Sequence, residues 1–156
     1  MDIIDQRYYE NALQLKRYSR KMDTARMIIF CYGSFLWIVR AVNLYHIFYN
    51  GYAVSSAVLI SNYTFITVLT GILLINVGSF YHPRAMLTIL ATLATADFCL
   101  DIPAIAGAVR YHVVAESPVS GTHIVVWTLR LFIAIFIIRG TISAWRYQQL
   151  KKLMTN

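Results

Sequence analysis

Four charged side chains stand inside otherwise apolar stretches of this 156-residue chain: Arg40, Asp97, Asp101 and Arg130. A carboxylate in hydrocarbon either lies on a path for protons or ions, or is neutralised by a cation held beside it. Asp97 and Asp101 are four residues apart, which puts both on one face of a helix. Counted inward from the ends of the apolar runs at 1.5 Å per residue, Asp101 and Arg130 lie at about 12 and 10 Å, and Asp97 and Arg40 at about 18 and 14 Å. These heights predict two structural pairs, Asp101–Arg130 and Asp97–Arg40, joining three helices. Such pairs are expected to set register more than to add stability, because desolvation offsets the attraction. The competing expectation is a small oligomeric transporter or channel that conducts through the same charges.

Other chemistry finds little footing. Gly-x-Ser-x-Gly, His-Glu-x-x-His and a phosphate-cradling glycine loop do not occur in the sequence. Ser117, His112 and Glu116 form a chance cluster in a connecting stretch. His46, His112 and His123 belong to one side of the predicted bundle and His82 to the other. His46 and His123 could in principle face each other as haem ligands, but no paired spacing within a helix supports ligation and no Cys/His metal spacing occurs, so neither a metal nor a cofactor is expected. Cys31 and Cys99 fall within apolar runs and read as small hydrophobes, not as a disulfide. The expectation is a protein that is not an enzyme.

The elements that must hold these residues follow from composition. Charged residues make up 13% of the chain, about half the share of a soluble domain, and they crowd toward the two ends. What remains reads as an all-α integral membrane protein, a bundle of four transmembrane helices at about 27–49, 53–80, 85–109 and 124–144. Residues 1–26 read as a basic amphipathic helix lying in the headgroup plane, and 148–156 as a basic tail. No apolar core of a secretory leader is visible in 1–26, so targeting is expected to come from the spans. Asn50-Gly51 and His82-Pro83 supply turns, and Pro103 is expected to kink the third span. Ser, Thr and Asn recur every three or four residues in the second span, which suggests a helix-packing face.

Charge placement gives orientation. Arg7, Lys16, Arg17, Arg20, Lys21 and Arg26 precede the first span, Arg84 lies in the second connection, and Arg139, Arg146, Lys151 and Lys152 cluster toward the C-terminus. Four spans put all of them on one side, against Arg110 on the other. The positive-inside rule then places both termini in the cytoplasm or the mitochondrial matrix. Arg17, Arg20, Lys21, Arg26, Arg84 and Arg146 are expected to meet lipid headgroups, cardiolipin among them. Net charge of +7 is thus assigned to the membrane surface and not to nucleic acid. Short loops leave little room for a site, and eleven tyrosines and eight phenylalanines offer broad contact surface. The expected role is a non-catalytic accessory or assembly subunit among other integral membrane subunits, with the respiratory chain and ATP synthase as examples. The tight, basic, disulfide-free character favours the mitochondrial inner membrane over the endoplasmic reticulum.

Overall fold

A computed structural model describes the backbone of residues 3–50, 55–114 and 121–155, and every side chain within them except those of 3–5, 100, 101, 104, 108, 109, 111–114 and 121–123. The described residues form four α-helices and no strand: α1 (Ile3–Tyr49), α2 (Ser56–Gly78), α3 (Pro83–Val114) and α4 (Gly121–Thr155). Three of them, α1, α2 and α4, are long and apolar enough to cross a bilayer. Neighbours pack in a ring, α1 on α2 and α4, and α3 on α2 and α4.

The first helix departs from expectation. Residues 3–26 are not a separate element but the first half of α1, a single helix of 47 residues, about 70 Å long. The cause is local. Neither glycine nor proline occurs between Ile3 and Tyr32, so nothing breaks the hydrogen-bond ladder. At the junction, Thr24 Oγ1 donates to the Arg20 carbonyl at 2.8 Å. The C-terminal tail is likewise helical through Thr155. These two extensions run antiparallel beyond the apolar region, with Leu15, Tyr18 and Tyr147 half-buried.

The turn between α2 and α3 is tight. Ser79 N–H donates to the Ile75 carbonyl and His82 N–H to that of Gly78, each at 3.0 Å. Pro83 then opens α3, where its missing N–H leaves no intrahelical bond unmade. The hydroxyls of Thr88, Thr92 and Thr95 donate to carbonyls one turn earlier, so they add little polarity to the helix surface. α3 continues through Pro103.

The apolar core sits at the end where the basic residues gather. Met22, Ile29, Leu87, Leu90, Ile137 and Ala144 form its cluster. Helix α4 approaches α1 closest at Gly140: a Cβ built there would stand 2.5 Å from that of Ala25. Gly140 and Ala144 are four residues apart and both buried, which supplies the smooth surface that close helix packing requires. Outside this region packing thins. Of the most apolar stretches of α1, α2 and α4, only 11% to 17% is buried, so the aliphatic surface faces outward.

Candidate functional site

Two tiers of polar contacts cross the bundle. The lower tier lies at the basic end and centres on Arg26, which is only 8% exposed. Its Nε donates to Ser79 Oγ at 2.9 Å and its Nη2 to the Ser79 carbonyl at 2.6 Å. Its Nη1 reaches Asp23 Oδ1 at 2.7 Å, and the guanidinium lies 4.5 Å from the centre of the Phe80 ring. Asn76 Nδ2 donates to the Arg26 backbone carbonyl at 3.0 Å. Each guanidinium nitrogen is therefore engaged, and the group fastens α1 to the end of α2. Asn76 Oδ1 is buried beside this cluster without a hydrogen-bond donor.

A second fastening joins α3 to α4. The Arg84 guanidinium stacks 3.2 Å from the centre of the Trp145 ring, while Trp145 Nε1 donates to Thr88 Oγ1 at 3.2 Å. Thr141 Oγ1 contacts both the Leu87 carbonyl across the interface and the Ile137 carbonyl in its own helix, each at 2.9 Å. Two residues assigned to headgroups thus have other work. Arg26 is an internal clamp because the end of α2 brings Ser79 to it, and Arg84 is an internal stack because α3 opens beside Trp145 of α4. Among the other headgroup candidates, Arg17 and Arg20 are exposed on α1, and Lys21 and Arg146 line one cleft between α1 and α4.

The upper tier holds charges set within the apolar stretches. Arg40 Nη1 donates to Asn62 Oδ1 at 3.3 Å, and its guanidinium lies 4.6 Å from the centre of the Phe65 ring. Asn62 Nδ2 in turn donates to the Val58 carbonyl at 2.9 Å. Three residues before Arg40, Trp37 Nε1 donates to Thr70 Oγ1 at 3.1 Å. These contacts bind α1 to α2.

The Asp97–Arg40 pair is accordingly not formed, which corrects the sequence-based assignment. Helices α1 and α3 sit across the ring from each other, and the arginine is met by its neighbour α2 instead. The pairing rested on depth counted along the sequence, which says nothing about direction around the helix. Asp97 is exposed on α3, and the one salt bridge among the described residues is Arg26–Asp23. Arg130 is half-buried and has an interaction partner. The side chain of Asp101 lies outside the described residues, and so does the predicted Asp101–Arg130 pair.

His46 is exposed on α1 and His82 in the α2–α3 turn; the side chains of His112 and His123 lie outside the described residues. Sequence reasoning overlooked the Arg26 clamp and the Gly140 contact. The second had a visible signal, the small-xxx-small spacing of Gly140 and Ala144. The first had none beyond the types Asn76 and Ser79 just before a turn.

Fold and contacts together define an all-helical protein with three helices suited to crossing a membrane, clamped at its basic end. No protein-family model matches the chain, and neither a curated protein nor a solved structure matches it.

Proposed function

We propose that the protein is a multi-pass membrane subunit, non-catalytic, whose role is to join or assemble a larger membrane complex. In this reading α3 is the fourth span and both termini lie on the positively charged side. The gathering of Lys21, Arg26, Arg84, Arg139 and Arg146 at one end of the fold supports that orientation. The mitochondrial inner membrane is the proposed setting; its support is compositional, with Cys31 and Cys99 both free.

The observation that carries the reading is Asp97. It stands near the middle of α3, about 21 Å from the helix start, on an exposed surface and without a polar partner among the described residues. A lone charge at that depth costs about 2.5–3.5 kcal/mol even on the lenient insertion scale. A cationic or hydrogen-bond-donating side chain from another membrane helix would remove that cost. The chain's own cations at this height have other contacts: Arg40 has Asn62 and Phe65, and Arg130 has a partner of its own. Ser61 and Thr64 on the exposed face of α2 add donors and acceptors for a neighbour.

Affinity purification from native membranes in mild detergent tests the proposal. The expected result is a fixed set of other membrane proteins with the wild type and their loss with Asp97→Leu, while the variant itself inserts and folds. A lone homo-oligomer, or a partner set indifferent to Asp97→Leu, overturns it. Ion or proton flux through purified chain in vesicles, abolished by Asp97→Asn, would establish the conduit instead.

A further inference from the structure

The lower tier leaves one group of cations unexplained. Between α1 and α4 lies an open cleft of about 380 Å³. Lys21 enters it from α1, and Arg139 and Arg146 from α4. The two arginines are seven residues apart, which places them on one face two turns from each other, about 10 Å. Gly140 lets the two helices close up beside the cleft: the Lys21 backbone carbonyl is 3.5 Å from where a Cβ on Gly140 would stand. The Lys21 ammonium lies 5.9 Å from the centre of the Tyr18 ring, which also lines the cleft.

Among the described residues none of these three cations has a carboxylate within ion-pair distance, the salt bridge there belonging to Arg26. Three cations lining one concavity favour an anion among them. The rest of the lining says which kind of anion. Ile142 lies between the two arginines, and Ile138 and Ile135 continue the cleft along α4 toward the apolar middle of the helix. A free phosphate would satisfy the cations and leave these aliphatic side chains unused. A phosphate carrying acyl chains uses both.

We propose that this cleft is a specific binding site for an anionic glycerophospholipid. Its phosphate sits among Lys21, Arg139 and Arg146, and an acyl chain follows Ile142, Ile138 and Ile135. The proposal rests on the membrane-embedded reading but not on the partner assigned to Asp97. A lipid held there would brace the α1–α4 contact where both helices leave the membrane.

Native mass spectrometry of the full chain in detergent, titrated with dioleoylphosphatidylglycerol, is the test. One lipid per chain is expected to be retained, in preference to dioleoylphosphatidylcholine. The triple variant K21Q/R139Q/R146Q should weaken retention by about tenfold or more, the worth of a charge-assisted hydrogen bond or two. The variant R7Q/R17Q/R20Q removes the same charge from the exposed face of α1 and should change retention less than about twofold, as screened surface charges do. The single variant R146Q, at an exposed position, keeps the test alive if the triple variant fails to fold, and should weaken retention in the same direction. Equal losses from the two triple variants would show diffuse attraction and overturn the site. Displacement of the lipid by inorganic phosphate would assign the cations to a free anion and also overturn it. Failure of the membrane reading is seen separately, as release of the chain from native membranes by alkaline carbonate.

Discussion

The two ends of this bundle are built differently. At the basic end, helices are fastened pairwise: α1 to α2 through Arg26 and Ser79, α3 to α4 through Trp145 and Thr141, and α1 to α4 through Gly140. Polar groups there are largely satisfied inside the chain, and the core cluster lies among them. Toward the other end the described ties between helices are Arg40 with Asn62 and Trp37 with Thr70, both between α1 and α2, and Asp97 is exposed. A charge that is clamped internally serves the fold of its own chain. A charge left on the outer surface at similar cost is better explained by what the chain meets.

The contrast can be broken most forcefully at Arg26. Replacing it with Met removes two hydrogen bonds from a charged donor to Ser79, each worth about 1.5–3 kcal/mol when buried. A stability loss of about 3 kcal/mol is expected, read as a lowered thermal midpoint in detergent. Asp23→Asn tests the other side of the same clamp. Its carboxylate is half-exposed, so the loss should stay below about 1 kcal/mol. If the two variants were equally damaging, the ion pair and not the contact with Ser79 would hold the end together.

Gly140→Val probes the closest helix contact. The added branch meets Ala25, a side chain with no rotamer to yield, so α1 and α4 must separate at a cost of about 1–3 kcal/mol. Arg40→Met should have a smaller effect, about 1 kcal/mol, since its hydrogen bond is long and its ring contact lies at a half-buried site. Asp97→Leu sharpens the comparison from the opposite direction. Having no internal partner to lose, the purified variant should be as stable as the wild type, within about 0.5 kcal/mol, while losing its neighbours in the membrane.

Much of the architecture was legible because it depends on long-range averages. Apolar runs, the turn before Pro83, and the clustering of basic residues toward the ends read correctly as long helices whose basic segments share one end. Failures came where one helix had to be oriented around its axis or joined to the next. Asp97 and Arg40 were paired by depth counted along the sequence, yet only tertiary packing decides which helices are neighbours and which are diagonal. Arg26 looked like a surface residue because it ends a basic segment, but the turn after Asn76 brings Ser79 over it. The split between an interfacial helix and the first span was misplaced for a simpler reason. A change from polar to apolar composition is not a helix break when neither glycine nor proline stands across it.

Photo-crosslinking in native membranes tests the central claim, that the outward face of α3 is completed by another protein. Benzoylphenylalanine placed at Leu93, one turn before Asp97 and exposed like it, should capture one discrete foreign membrane protein, and Asp97→Leu should abolish the adduct. Adducts to lipid or to the chain's own copies alone would contradict the account.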